Sequence, residues 1–188
     1  FSPSGVLDYK AHKLANRLLG NEDDAAVLEM TLQGVELLAK KDTVISTSGA
    51  VAPVTINDKR YTHGSAIKII EGETLKIGKC ENGSRTYLAV LGGFDVPPVL
   101  GSRSTHTRSG IGGFKGRTLK NGDVLKSIGG DFSEGLKKIK PFESDNIIRI
   151  IPGQQYDRFK AQVKRKLFNS EYTITKDSDR MGIRLNGP

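Results

Sequence analysis

Apolar residues near the start of the chain recur at the spacing of an α-helix. Asp8 stands just before the pattern, where its carboxylate can cap the first turn, and Gly20 stands just after it as a stop. The pattern predicts one helix over residues 8–19, with an apolar stripe formed by Ala11, Leu14, Ala15 and Leu18. A single stripe needs a covering surface, so we expect this helix to lie on a sheet.

From Ala26 onward, apolar residues alternate with polar ones, which is the period of a half-buried strand. Two hairpins are predicted, with turns at Asn57-Asp58 and at Asn82-Gly83. The short strands are predicted at 26–32, 35–38, 43–47, 54–56, 59–61, 74–77, 86–91 and 123–128. Many short strands divided by turn residues favour a mainly β chain with a few helices (α+β), closed as a barrel or stacked as a sandwich.

A Gly- and Lys-rich stretch without periodicity follows these strands. We predict a first domain over 1–130, a connector over 131–146 and the beginning of a second unit over 147–188. The second unit is predicted to contain a continuous apolar strand at 147–151, a helix at 156–168 and two strands at 171–175 and 181–185.

Composition restricts the class of protein. The lone Cys80 cannot form an intrachain disulfide, and no apolar run approaches the roughly 20 residues of a membrane span, so we expect a cytoplasmic chain without a membrane partner. The net charge is +8, but the cations are mostly scattered and aromatic residues make up only 6% of the chain, which favours a solvated basic surface over nucleic-acid binding. The abrupt start at Phe1 and end at Pro188 indicate part of a longer protein.

The segment from Asp95 to Arg108 combines turn-forming residues, hydroxyl groups and fixed positive charge. Pro97 and Pro98 remove two backbone donors and stiffen the chain. The following residues supply hydroxyls, backbone N–H groups and a guanidinium, and they are Ser102, Arg103, Ser104 and Thr105. This donor set suits a carboxylate or a phosphate, so we predict an anion-binding loop.

Other chemistry in the sequence is less defined. His106 follows the predicted anion-binding residues, so it is a candidate general acid or base, although a solvent-exposed loop histidine is the alternative. Gly112 and Gly113 lie in a glycine-rich stretch that could cradle a phosphate through backbone N–H groups or could simply form turns. No compact zinc spacing occurs, since His12, His63 and His106 are far apart, and we predict no metal bound by this chain alone.

Several ordered motifs resemble the KipA-like family, which is also described as the C subunit of 5-oxoprolinase, as allophanate hydrolase subunit 2 and as a biotin-dependent carboxyltransferase domain. The motifs are Ser4-Gly-Val-Leu-Asp8, Leu14-Ala-Asn16, Leu19-Gly-Asn21, Ala26-Val-Leu-Glu29, the segment from Asp95 to Thr105, and the segment from Gly112 to Leu125. They span most of the chain. The resemblance implies a cyclophilin-like β-barrel followed by a second related unit.

The resemblance also points to two more site residues. Asp95 is implied as a catalytic group that positions a substrate amide or accepts a proton, with a turn-capping role as the alternative. Arg117 is implied as a substrate-binding group, with an ion pair to an acidic neighbour such as Asp123 as the alternative. The sequence leaves both pairs of alternatives open.

Three functions follow from the resemblance. In the first, the chain is a subunit of a 5-oxoprolinase, which hydrolyses 5-oxoproline to glutamate with ATP and magnesium. Its partners are a KipI-like subunit, the B subunit of 5-oxoprolinase, and a ring-opening subunit, the A subunit. The second is carboxyl transfer from carboxybiotin on a partner domain to urea or a similar amide. The third is a non-catalytic antagonist that binds a KipI-like kinase inhibitor. The first is favoured, with a chain that is inactive without its partners.

Overall fold

The computed structural model describes residues 5–132, 147–180 and 182–188. The chain divides into two compact units, Phe1–Phe142 and Glu143–Pro188, and each is described by itself. The described elements are mainly antiparallel strands with two α-helices, which confirms the predicted mainly β class. Among these residues, no helix has the length and apolar character needed to cross a membrane.

Helix α1 covers Tyr9–Arg17 and begins as predicted. The Asp8 carboxylate accepts a hydrogen bond from the Ala11 N–H at 3.0 Å, which satisfies one of the free donors of the first turn. The buried face is rotated from the predicted stripe, because Leu14 is only half-buried. The buried residues of the helix and its C-terminal turn are Ala11, His12, Ala15, Asn16, Leu18 and Leu19.

Two antiparallel sheets of four strands form the first unit. The first sheet has the order β1-β8-β3-β6, with bounds β1 Leu28–Thr31, β3 Thr43–Val51, β6 Ala66–Ile69 and β8 Asn82–Val90. The second sheet has the order β2-β7-β4-β5, with bounds β2 Glu36–Leu38, β4 Val54–Ile56, β5 Lys59–Tyr61 and β7 Thr74–Ile77. The hairpin at Asn57-Asp58 is confirmed, with Ile56 opposite Lys59.

The closed barrel implied by the resemblance is wrong, and of the two arrangements that the strand pattern left open, stacked sheets are present. In the described residues the two sheets stay separate, and an isolated bridge between Gln33 and Lys79 replaces a ladder where the chain passes between them. A physical reason lies at the β3–β4 crossing. Pro53 has no N–H to donate to a continuing ladder, and the register of β3 against β8 shifts between Gly49 and Val51.

The layers are held by two apolar clusters on opposite faces of the first sheet. Ile45, Leu88 and Val90 pack between the sheets, because alternate residues of a strand face opposite sides. They meet the inner face of the second sheet, formed by Val54, Ile56, Leu75 and Ile77. On the other face, Tyr87, Ala89 and Leu91 pack against Ala11 and Ala15 of α1. The first unit is therefore a helix, a sheet and a second sheet in layers.

The hairpin predicted at Asn82-Gly83 is also wrong. These residues begin β8, and Asn82 pairs with Val51 of β3 rather than turning back on β7. Strand β7 belongs to the other sheet. A pairing between positions 51 and 82 is a long-range contact, which a local turn signal cannot reveal.

The second unit contains a 3₁₀ turn at Tyr156–Arg158, helix α2 at Ala161–Asn169 and a hairpin of β9 Thr173–Ile174 with β10 Leu185–Asn186. The predicted single helix is broken because Lys160 is extended, with ψ 148°. The predicted strand at 147–151 is not a strand, and its residues are exposed. The predicted pairing of the last two strands is confirmed, although Met181 lies outside the described residues, as does most of the predicted connector.

His63 follows β5 and is partly buried. Its Nδ1 atom is 3.2 Å from the hydroxyl of Thr47, a fully buried residue of β3. Burial lowers the pKa of His63 below its ordinary value of 6.5, and a hydrogen bond with the backbone of Gly49 acts in the opposite direction. The neutral ring is therefore the form that fits the folded protein.

Acid is expected to destabilise the protein through His63. Because its pKa is lower in the folded state, the unfolded state binds more protons below about pH 6.5, and stability falls as pH decreases through that range. His63→Gln should flatten the dependence of the melting temperature on pH between about 7.5 and 5.5. His106→Gln, at a loop histidine, is the control, and an unaltered pH dependence in His63→Gln would contradict the assignment.

Candidate functional site

The predicted anion-binding loop leaves the first sheet directly after β8. Its base is closed by a bridge between Phe94 and Ser127, with the Asp95 N–H donating to the Lys126 carbonyl at 2.8 Å. Gly92 has φ +77°, and a Cβ there would lie 2.1 Å from the Gly129 carbonyl oxygen. Glycine is therefore required for this close approach, and the two ends of the loop are fixed to each other.

The first part of the loop, residues 96–103, forms an arm. Val99 and Ser102 exchange two backbone hydrogen bonds, at 2.8 and 3.1 Å, around a two-residue turn. Leu100 and Gly101 both have positive φ, 50° and 75°, which defines a turn of type I′. The Arg103 guanidinium donates to the Val96 carbonyl, so its side chain ties together the two ends of the arm.

The second part of the loop folds back on residues 104–106. His106 and Ile111 exchange backbone hydrogen bonds, and the Thr105 hydroxyl accepts from the Phe114 N–H at 3.2 Å. A Cβ on Gly113 would lie 2.0 Å from the Thr105 hydroxyl, and one on Gly112 would lie 2.7 Å from the Ser104 carbonyl.

Both glycines thus have a steric reason to be glycine. Their role in holding a phosphate remains a prediction, and the close backbone approach is sufficient to explain the residue type. The packing also places the Thr105 hydroxyl against the backbone of the second part of the loop rather than in open solvent.

Arg117 is held by Asp123 in a two-point ion pair, with both N–O distances 2.7 Å. The Lys120 N–H also donates to the Asp123 carboxylate at 2.7 Å, and the guanidinium lies over the Phe114 ring at 5.5 Å. The Arg117 guanidinium, followed by the Lys120 amide, holds the pKa of Asp123 well below its ordinary 3.8. The ion pair that the sequence left as an alternative is present, and a substrate-binding role for Arg117 remains a prediction.

His106 and Asp95 are placed differently. The Ser109 N–H donates to His106 Nδ1 at 3.3 Å, so the neutral ring carries its proton on Nε2 and offers a donor there. Asp95 is exposed at the base of the loop, and its side chain makes no turn-capping hydrogen bond in the described residues. No hydrogen bond joins Asp95 and His106 within that part of the chain.

The charge of the loop is mainly positive. Between the bridge residues Phe94 and Ser127 the sequence has six cations and two carboxylates, Asp95 and Asp123. The cations are Arg103, Arg108, Lys115, Arg117, Lys120 and Lys126, and Asp123 engages Arg117. A magnesium ion prefers carboxylate oxygens, and no group of three or more His, Cys, Asp or Glu side chains that could hold a metal lies in the described residues. The loop therefore fits an anion.

A polar network behind the loop was not predicted from the sequence. Asn21 donates to the Val90 carbonyl at 2.9 Å and accepts from the Gly92 N–H at 2.8 Å, which fixes the start of the loop. Asn21 also donates to Asn16 at 3.0 Å, and Asn16 and His12 share the Ala25 carbonyl. His12 is buried in this network. Polar residues on the inner side of a predicted helix are the signal that could have revealed it.

The fold and the site together define a class of antiparallel β-protein. In this class a long cationic loop follows one of the longest strands, β8, and is closed at its base by a backbone bridge. The chain belongs to the carboxyltransferase domain family, subdomain A and B, whose match covers residues 1–188. The family resemblance inferred from the motifs is thereby confirmed.

Named relatives agree with this assignment. The chain is 36% identical to the C subunit of 5-oxoprolinase from Escherichia coli (strain K12) over 188 residues, covering 99% of this chain and 60% of the relative. It is 37% identical to urea amidolyase of Lachancea kluyveri over 203 residues, covering 99% of this chain and 11% of the relative. The crystal structure of the K. lactis urea amidolyase superimposes with a TM-score of 0.83 at 33% identity, over 99% of this chain and 12% of that one.

Proposed function

We propose that this chain is part of a 5-oxoprolinase-type enzyme, which hydrolyses the lactam of 5-oxoproline to glutamate at the expense of ATP. The observation that carries the proposal is the loop with six cations and two carboxylates, which is closed at its base directly after the first sheet. Its donors match the carboxylate of 5-oxoproline. The choice of substrate rests on the bacterial 5-oxoprolinase relative, of which this chain spans 60%.

The loop residues take distinct parts in this proposal. Arg103, held at one nitrogen by the Val96 carbonyl, directs its remaining N–H groups to the substrate carboxylate, aided by the hydroxyls of Ser102 and Ser104. His106 offers its Nε2–H to the lactam oxygen, where negative charge develops during ring opening. Asp95 is left to orient the lactam N–H or to accept a proton.

ATP and magnesium are the cofactors of the proposed reaction. No cluster of three or more His, Cys, Asp or Glu side chains that could hold a metal lies in the described residues. We therefore assign the binding of the metal to other parts of the assembly. The proposed partners are a KipI-like subunit together with a ring-opening subunit, because the bacterial relative is named as one component of a multi-subunit enzyme.

Carboxyl transfer from carboxybiotin to urea or a similar amide is the second candidate. It is favoured by the family, described as a carboxyltransferase domain, and by the likeness to urea amidolyases. In that reaction the same cationic loop would hold the carboxyl group in transit or stabilise the oxyanion of biotin. A non-catalytic antagonist of a KipI-like protein is the third candidate, and it needs only a binding surface.

The protein assembled with purified KipI-like and ring-opening subunits, and supplied with ATP and magnesium, is expected to release ADP, phosphate and glutamate when 5-oxoproline is added. Omission of any one component should abolish turnover, and this chain alone should be inactive. Parallel reactions would contain a carboxylated biotin-carrier domain and urea, with transfer of labelled carboxyl as the readout. Transfer without ADP release would replace the first candidate by the second, and tight binding without either reaction would favour the antagonist.

A further inference from the structure

Leu100 occupies an unusual position at the tip of the arm. Its side chain is 78% exposed, the highest exposure among the large apolar residues of the described part of the first unit. Its backbone has φ +50°, a conformation that bulky side chains rarely adopt. Because the Leu100 side chain is exposed, its apolar surface contributes no hydrophobic stabilisation to the isolated chain, and its backbone conformation is strained.

The turn chemistry makes this choice of residue stand out. In a two-residue turn of type I′, asparagine or glycine at the first central position would adopt the positive φ without strain. Gly101 at the second position follows that rule, whereas Leu100 does not. Conformational preference therefore does not explain Leu100, and its place in the loop distinguishes it from Leu32, the other exposed leucine with positive φ in the described residues.

The arm is built to hold this tip in place. Two proline rings precede the turn, two backbone hydrogen bonds close it, and the Arg103 side chain fastens its ends through the Val96 carbonyl. A rigid arm loses little conformational entropy when its tip is bound. An exposed apolar residue on a rigid support has the form of an interface anchor.

We propose that Leu100 inserts into an apolar pocket of a protein partner, and that carboxylates border this pocket. The border follows from charge complementarity, because the loop that carries the tip has six cations and only two carboxylates, one of which is paired with Arg117. The partner is identified as the KipI-like subunit, and in this respect the inference rests on the proposed function. The arm then joins the anion-binding residues to the interface with that partner, since Ser102 closes the turn that carries Leu100.

The test compares two leucines in the same backbone conformation. Leu32 also has positive φ, +60°, and is 56% exposed. It lies outside the loop, in the connection from β1 to β2. Leu100→Asn and Leu32→Asn should both fold, with melting temperatures equal to that of the wild type or up to about 3 °C higher, because asparagine relieves the strain. Leu100→Gly is a second variant, and circular dichroism verifies the fold of each protein.

Binding is measured by titration calorimetry with the purified KipI-like subunit. Leu100→Asn and Leu100→Gly are expected to raise Kd at least about tenfold, while Leu32→Asn leaves it unchanged. Wild-type binding should weaken with added NaCl if carboxylates border the pocket. Wild-type binding that both Leu100 variants retain would overturn the anchor and leave the proposed function standing. Absence of wild-type binding would overturn both, and loss of self-association alone would assign the tip to contacts between copies.

Discussion

Replacing Leu18 with aspartate is expected to lower the free energy of unfolding by about 4 to 5 kcal/mol, because it removes a fully buried side chain and places a charge where water cannot reach it. Such a loss is a large part of the roughly 5 to 15 kcal/mol that stabilises a typical domain. Urea unfolding followed by circular dichroism measures the change, and we expect most of the variant to be unfolded at about 37 °C.

Leu14→Asp is the matched comparison on the same helix. The sequence pattern placed Leu14 at the centre of the apolar stripe, but its side chain is only half-buried. The aspartate there keeps part of its hydration, so the loss should be about 1 to 2 kcal/mol. Equal losses for the two variants would contradict the observed orientation of the helix.

Arg103→Ala is expected to lower kcat/KM of the assembled enzyme for 5-oxoproline by about tenfold to a hundredfold. A charge-assisted hydrogen bond to a bound carboxylate contributes about 1.5 to 3 kcal/mol, which converts to that range. Arg103→Lys should also lose activity, since lysine keeps the charge without the planar pair of donors. Steady-state turnover with saturating partner subunits measures the effect.

Two controls separate binding from support of the arm. Lys126→Ala removes an exposed cation at the base of the loop and should leave kcat/KM within about twofold of the wild type. Arg103→Gln keeps an amide donor for the Val96 carbonyl but lacks the charge. Full activity in Arg103→Gln, or loss of the folded state in Arg103→Ala, would assign the arginine to structure alone.

Local patterns predicted those parts of the fold that depend on neighbouring residues. The cap at Asp8, the hairpin at Asn57-Asp58 and the pairing of β9 with β10 all follow from short-range signals, and all three are present. Strand β6 was not predicted, and the turn assigned to Asn82-Gly83 was wrong, because pairing with β3 determines both segments. Contacts between distant parts of the chain are what a single sequence conceals.

The orientation of α1 shows the same limit in another form. Hydrophobicity alone placed Leu14 inside, whereas the buried side contains His12 and Asn16. The Ala25 carbonyl is a partner for His12 Nε2 and for the Asn16 amide, and Asn21 donates to the Asn16 side-chain oxygen, whereas the buried His12 Nδ1 has no hydrogen-bond partner among the described residues. In the candidate site, residue types predicted an anion-binding loop, but not that Arg117 would be engaged by Asp123 or that the Val96 carbonyl would hold Arg103.

Two serines of β3 determine where the helix can lie along the sheet. The Ser46 hydroxyl donates to the Ala15 carbonyl at 2.6 Å, and the Ser48 hydroxyl donates to the Ala11 carbonyl. Residues two apart on a strand are separated by about 6.8 Å. Residues four apart on a helix are separated by about 6 Å along its axis. The two spacings are nearly equal, and the helix and the strand run in opposite directions, so both serines can reach a helix carbonyl at the same time.

A shift of the helix by one residue would break both hydrogen bonds and bury two unpaired hydroxyls. Sliding along the sheet is therefore disfavoured. The helix is held at one position along β3, and with it the Asn21 side chain that fixes the start of the loop.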